Sequence, residues 1–290
     1  MTTIGLRAIY QGGDILGEGP LWSPADRRLY WFDIQGRKLR WVHHDGGSPG
    51  HLDLPMRASA AATRTSGGLI LATELGLYAC DPLAGSLAPL VPMTFPEGFR
   101  TNDGKIDVRG RFWWSTMDDD HGARPGGLFR TDPDLSTRQV LDDLHIANTV
   151  SCSPDGATLY VADSRRATLY AHDISADGQL GPRRVFAQTQ GGPGVPDGSA
   201  VDAQGFLWNA QWGAARIVRY APDGSIDRVV AAPVAQPSSC AFGGPDLATL
   251  YVTSARQGLS PADLAAQPLA GSLFAFEPGV TGLPLPAFAG

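Results

Sequence analysis

No run of Lys or Arg long enough to follow a phosphate backbone occurs in the 290 residues, whose formal net charge is −6 and whose pI is about 5.4. Nucleic acid and anionic membrane surfaces are therefore not expected as partners. Nor does any apolar stretch approach the ~20 residues that span a bilayer. The opening MTTIGLRAIY lacks the basic end, apolar centre and small-residue cleavage site of a secretory signal, so the expected location is the cytoplasm. Cysteine is scarce: Cys80, Cys152 and Cys240 are odd in number and form no C-x-x-C pair, which argues for buried reduced thiols rather than a disulfide framework. The six histidines show no H-x-x-x-H spacing, which removes a zincin-type site. Charged residues, at 18 %, are too few for a disordered chain, while 43 % hydrophobic residues supply ample core.

Glycine and proline, by contrast, are abundant. Their 36 and 23 copies punctuate the whole chain and suit short strands with tight turns rather than long helices. One pattern recurs six times: a polar residue near a turn, an alternating strand, a D-x-x-G or similar turn, then an aromatic-rich strand. The copies are GEGPLWSPADRRLYWFDI (17–34), RASAAATRTSGGLILATE (57–74), RTNDGKIDVRGRFWWSTM (100–117), ANTVSCSPDGATLYVADS (147–164), PDGSAVDAQGFLWNAQWG (196–213) and PSSCAFGGPDLATLYVTS (237–254). Their equivalent positions, Glu18, Ser59, Asn102, Asn148, Asp197 and Ser238, are separated by 41, 43, 46, 49 and 41 residues, the length of one four-stranded blade. Radial repetition of such sheets leaves only short protected edges. The expected fold is all-β: one six-bladed β-propeller of four-stranded antiparallel blades around a central channel, spanning 1–290 as a single domain. A ring needs a seam, and TIGLRAIY alternates like a strand; the segment around 3–10 is expected to pair with the last blade near 271–277.

The first strand of each blade lines the channel, so equivalent positions converge on one axis. Three of the six carry Glu18, Asn148 and Asp197, oxygen ligands suited to a hard divalent cation. Asn102 lies in the same phase, beside Arg100 and Asp103. Taken singly, each of these residues equally suits the capping of a turn. Together on one axis they define a candidate metal site. Asp103, Lys105 and Asp107 are compatible either with orienting that site or with stabilising the turn NDGKID. GGSPG at 46–50 matches the G-x-S-x-G nucleophile pattern, but Pro49 and GHLDLP open no helix after it, and a blade turn is the expectation for Ser48.

These motifs, with CAFGGPDLATLYVTSAR at 240–256, resemble the family of regucalcin, gluconolactonase and luciferin-regenerating enzyme, and in particular its bacterial aldonolactonases such as xylonolactonase. The resemblance spans nearly the whole chain. It implies a propeller lactonase with one divalent metal on Glu18, Asn148 and Asp197, and with Arg100 and Asn102 on substrate hydroxyls. Where the family often has Gly after the blade-four Asn, this chain has Thr149. In the loop after Met117, DDDHGARPGG, Asp120 is the match to an acid that reaches the substrate in the family, with Asp118 and Asp119 beside it.

Lactone hydrolysis needs an activated water, stabilisation of a developing oxyanion and a proton for the ring oxygen. The expected division of labour makes the cation the Lewis acid and Asp197 both ligand and general base, with Glu18 and Asn148 as ligands. Ca²⁺ leads among the candidate ions, and Zn²⁺, Mn²⁺, Mg²⁺ and Fe²⁺ also suit the oxygen set. The expected partner is a small sugar lactone, and the expected state a monomer. Two other readings stand beside this one: hydrolysis of other esters or phosphotriesters by the same metal, and a propeller that binds metal or ligand without turnover.

Overall fold

A computed structural model describes residues 5–290. Six four-stranded antiparallel sheets are present, as the six repeats predict. The inner strands are Gly17–Ser23, Ala58–Thr63, Phe99–Ile106, Ala147–Cys152, Val195–Val201 and Pro237–Gly243, in blades one to six. Each lies beside the inner strands of the two neighbouring blades, and the sixth lies beside the first, so the ring is closed. The outer strand of blade six is Arg7–Tyr10, which pairs with Leu273–Phe276 in the register Arg7 to Ala275 and Ala8 to Phe274. The expected seam is thus observed over Arg7–Tyr10; residues 3 and 4 of that expectation lie outside the described residues. The one α-helix among the described residues, Pro261–Ala266, is a short insertion in blade six, and no helix is long and apolar enough to cross a membrane.

Apolar packing is divided into six clusters, one between each pair of adjacent blades. Middle strands such as Phe112–Asp118 are buried along their whole length because both faces meet a neighbouring sheet. Three blades share a further device, in which a buried carboxylate takes the indole N–H of a tryptophan and a guanidinium. Asp107 accepts from Trp113 Nε1 (2.8 Å) and Arg111 Nε (2.6 Å), and Asp202 from Trp208 Nε1 (2.9 Å) and Arg219 Nη2 (2.7 Å). Asp14 does the same with Trp31 and Arg40 at the seam. Asp107 therefore serves its turn rather than the channel. Ser48 is exposed in the turn before the strand Gly50–Asp53, and no helix follows it.

In every inner strand the pairing register slips at or beside the repeat-equivalent position, for example between Glu18 and Leu21, Thr101 and Gly104, Asn148 and Ser151, and Pro196 and Ser199. A bulge adds a residue on one side of the ladder and re-aims its side chain. Here it recurs at the same position of each blade. Gly19, directly after Glu18, has φ +56°, and a Cβ there would sit 2.2 Å from the Ser59 carbonyl oxygen of the next blade, so no other residue fits without a shift.

After Phe276 the chain crosses one mouth of the channel. Ala203 donates to Thr281, Gly282 to Leu247, and Phe288 to Thr63, while the Phe288 ring is fully buried between blades two and three. Beneath this tail lies an apolar cavity of 400 Å³ whose charged wall residues are Arg27 and Lys105. It contains no carboxylate.

Candidate active site

A second cavity of 360 Å³ lies elsewhere along the inner strands and has Glu18, Asn148 and Asp197 together with Arg100 and Asn102 in its lining. All five side chains are buried. Burial, and then the negative charge of Asp103, push the Glu18 carboxyl up to about 8. Burial, and then the charge of Glu18, hold Asp197 well above the usual carboxylate range. Neither carboxylate forms a salt bridge among the described residues, and Glu18 Oε2 accepts only the Gly19 amide (2.9 Å). Two carboxyl groups buried in one cavity without a salt bridge, with the Arg100 charge only partly offsetting their burial, are costly as anions, and a divalent cation would relieve that cost.

The third donor is oriented by its neighbours. Asn148 Nδ2 donates to Ser164 Oγ (2.8 Å), whose own hydrogen goes to the Pro196 carbonyl (2.6 Å). That pair fixes the amide so that Asn148 Oδ1 faces the blade-three side, where Asn102 Nδ2 reaches it at 2.8 Å. A carbonyl oxygen has a second lone pair, so this contact leaves room for a cation. Among the described residues no group of three or more His, Cys, Asp or Glu side chains is arranged to hold a metal ion. The candidate donor set is two carboxylates and one amide, all hard oxygens, and its chemistry would fit a cation of the calcium or magnesium class.

Arg100 is held from several directions. Its Nε donates to Asp119 Oδ1 (2.7 Å), and its Nη1 donates to the Thr101 carbonyl (3.0 Å) and to Asn102 Oδ1 (2.7 Å). Arg57 Nη1 takes the other oxygen of Asp119 at 2.7 Å. Burial works against the Asp119 charge, but these two guanidinium groups prevail and hold its carboxyl below the usual range.

The structure places Asp120, expected beside the substrate, outside the cavity lining. Asp120 is exposed and absent from the cavity wall, whereas Asp119 lines it. The reason is the turn: the strand ends at Asp118, whose buried carboxylate clamps Arg124 Nε (2.7 Å) and accepts the Asp120 amide (3.3 Å), and this rotates Asp120 outward. Ser164, Gln236 and Gln257 also line the cavity, outside the repeat phase, and no sequence signal marks them. Thr149, in place of the family's Gly, keeps the left-handed backbone (φ 58°) seen at Gly19. Lys105 reaches the Ser199 carbonyl and Asp103 the Val150 amide (3.0 Å), so both tie inner strands together.

Comparison with known proteins adds a family. Residues 16–256 match the family described as SMP-30/Gluconolactonase/LRE-like region. The chain is 36 % identical over 288 residues to a 6-deoxy-6-sulfogluconolactonase of Pseudomonas putida, covering 98 % of this chain and 99 % of that one. It is 38 % identical over 283 residues to an L-arabinolactonase of Azospirillum brasilense, covering 95 % and 92 %. Among solved structures it is similar to a calcium-binding protein, regucalcin, from Agrobacterium tumefaciens, at 31 % identity and a TM-score of 0.94, covering 98 % of this chain and 97 % of that one.

Proposed function

Since the chain belongs to the SMP-30/gluconolactonase/LRE-like family, we propose that it hydrolyses a sugar lactone to the aldonic acid with the help of one divalent cation, Ca²⁺ being the first candidate. The observation that carries the reading is the burial of Glu18, Asp197 and Asn148 around one cavity whose lining also holds Arg100 and Asn102. The similarity to proteins named as sugar lactonases supplies the substrate class. The regucalcin relative, described as calcium-binding, supports the ion. A site that only bound metal would have no use for a guanidinium fixed by Asp119 and Asn102 in the same cavity, and this favours turnover over storage.

When bound, the cation supplies Lewis-acid polarisation of the lactone carbonyl. Glu18 and Asn148 serve as its ligands. Asp197, also a ligand, takes a proton from the attacking water and returns it to the ring oxygen as that leaves. Arg100 has only donors, and its Nη2 has no protein acceptor among the described residues, so it suits a substrate hydroxyl or carbonyl oxygen. Asn102 orients Asn148 with one end of its amide and Arg100 with the other.

The reading is tested by titrating acid release from a panel of aldonolactones at constant pH, with chelator and after adding back Ca²⁺, Mn²⁺, Mg²⁺ or Zn²⁺. Release above the spontaneous rate should vanish with chelator and return with metal. Acid release at the spontaneous rate under all metal conditions, on every lactone, would dispose of the proposal.

A further inference from the structure

Seven tryptophans occur in the chain, and four of them, Trp31, Trp113, Trp114 and Trp208, are fully buried with their indole N–H groups bonded. Trp212 is different. It stays partly exposed, and it lines the acidic cavity, whose lining has no Phe or Tyr. It ends the second strand of blade five, Leu207–Trp212, and pairs with Val195, which stands two residues before Asp197.

We propose that Trp212 is a specificity residue whose indole takes the C–H face of the sugar-lactone ring, on the side of the cavity away from Arg100 and Asn102. The proposal rests on the lactone-hydrolase reading and deepens it by assigning the apolar half of the substrate.

The direction of the side chain follows from strand alternation. Trp208, Ala210 and Trp212 share one face of their strand, and Trp208 and Ala210 pack in the cluster that joins blade five to Cys240, Leu250 and Val252 of blade six. Trp212, at the strand end, packs instead against the cluster that contains Leu16 and Ala255. Leu16, just before the inner strand of blade one, bridges to Ala255 of blade six, so the indole extends over the end of blade six toward blade one. Leu16 and Val195 line the same cavity. Blade six stands opposite blade three in a ring of six, and blade three carries Arg100, Asn102 and Asp119. The main chain beneath the indole is fixed: a Cβ on Gly194 would sit 2.4 Å from the Trp212 carbonyl oxygen, and the Ala214 amide donates to the Gln211 carbonyl (3.1 Å).

A sugar lactone has two kinds of surface. Its hydroxyls need polar partners, while each hydroxyl-bearing ring carbon also bears a hydrogen, and polarised C–H bonds are drawn to the negative face of an aromatic ring. The cavity offers both. Arg100, Asn102 and Asp119 supply polar groups from blade three, and Leu16, Met117, Ile146, Val195 and Trp212 supply apolar surface, of which the indole has the largest flat face. A ring with two side-chain torsions is also held in place at little entropic cost.

The test uses Trp212→Ala, which removes the ring, and Trp212→Phe, which keeps an aromatic face; thermal melts establish that each folds. The binding probe is an aldonolactam, which keeps the ring and its hydroxyls but resists hydrolysis. Its Kd by calorimetry and the KM of the matching lactone should rise roughly tenfold in Trp212→Ala, with kcat changed by less than about threefold, the pattern of lost binding shared by ground and transition states. Trp212→Phe should stay within about threefold of wild type in each quantity. Lactam should also shift the tryptophan emission of wild type and leave that of Trp212→Phe, which still binds it, nearly unchanged. No lactam binding by wild type, wild-type lactam affinity in Trp212→Ala, a loss that Phe does not restore, or an emission shift that persists in Trp212→Phe overturns the assignment. The emission measurement decides by itself if Trp212→Ala does not fold. Trp212-dependent lactam binding by a wild type that hydrolyses no lactone keeps the platform and removes the hydrolase reading. Lactone hydrolysis by wild type, with equal lactam affinity in all three proteins, does the reverse.

Discussion

The hydroxyl of Thr149 donates to the main-chain carbonyl of Asp197, joining the turn that presents one proposed metal ligand to the turn that presents another. The same hydroxyl accepts from Ser199 Oγ (3.0 Å) and Asn209 Nδ2 (3.2 Å). A β-branched residue at φ 58° is strained, by about 1–2 kcal/mol, and the hydroxyl's bonds offset that strain. Thr149→Val should thus lose about 1–3 kcal/mol of stability, keeping the strain without the bonds. Thr149→Gly should lose less, because glycine adopts this backbone freely. Denaturant melts of the two variants check the order, and equal losses would show that the hydroxyl network does not carry the turn.

Asp197→Asn separates ligand from base. An amide oxygen can coordinate, as Asn148 is proposed to do, but cannot take a proton from water. The variant should bind metal measurably and yet lose about 10²–10⁴-fold in maximal rate at saturating metal, the usual contribution of a positioned acid–base group. Maximal rate measured against metal concentration, after subtraction of spontaneous opening, is the deciding quantity. Full recovery at high metal would leave Asp197 a ligand only.

Asp119 and Asp120 are neighbours with opposite placements, one in the cavity wall between Arg100 and Arg57, the other facing solvent. Asp119→Asn removes the charge that holds two guanidinium groups and should lower kcat/KM by about tenfold or more. Asp120→Asn should stay within about twofold, as surface substitutions do. Steady-state kinetics on one aldonolactone suffices, and a larger loss at Asp120 would contradict the loop geometry.

In metal-free protein the folded Glu18 keeps its proton to about pH 8, while an unfolded chain gives it up near 4.5. Between those values folding binds protons, so stability falls as pH rises through the window, by up to about 1.4 kcal/mol per pH unit for one such group. Asp197, also raised, acts in the same direction. The melting temperature with chelator should accordingly fall from pH 5 to pH 8. Saturating Ca²⁺, which binds the ionised groups, should flatten or reverse the trend. Parallel slopes with and without Ca²⁺ would mean that the cation does not meet these carboxylates.

The blade count and the convergence of Glu18, Asn102, Asn148 and Asp197 are legible in the sequence, because a repeat carries its geometry with it. The bulge recurs at one phase, and four of the six residues at that phase line the same cavity. Arg100 follows from that phase and the family likeness together. Asp119 escapes the same logic: three consecutive aspartates in a turn look alike in sequence, and only the clamp of Asp118 on Arg124 decides which neighbour faces inward. Ser164, Gln236 and Gln257 lie where strands end and connections begin, so no periodicity reports them. The tail across the second mouth is equally unmarked. LPLPAFAG alternates no more than a loop does, and the burial of Phe288 depends on Thr63 and Thr65, far away in the chain.

The pairing of Arg7–Tyr10 with Leu273–Phe276 has a consequence for how the molecule is made. Arg7–Tyr10 is synthesised well ahead of Leu273–Phe276, and until the two meet the propeller is an arc with two bare edges. A message truncated anywhere upstream of Leu273 yields a product that cannot hide them, and bare edges recruit other strands. Closure of the ring thus waits on Leu273–Phe276, the four residues that let Arg7–Tyr10 cover the last open edge.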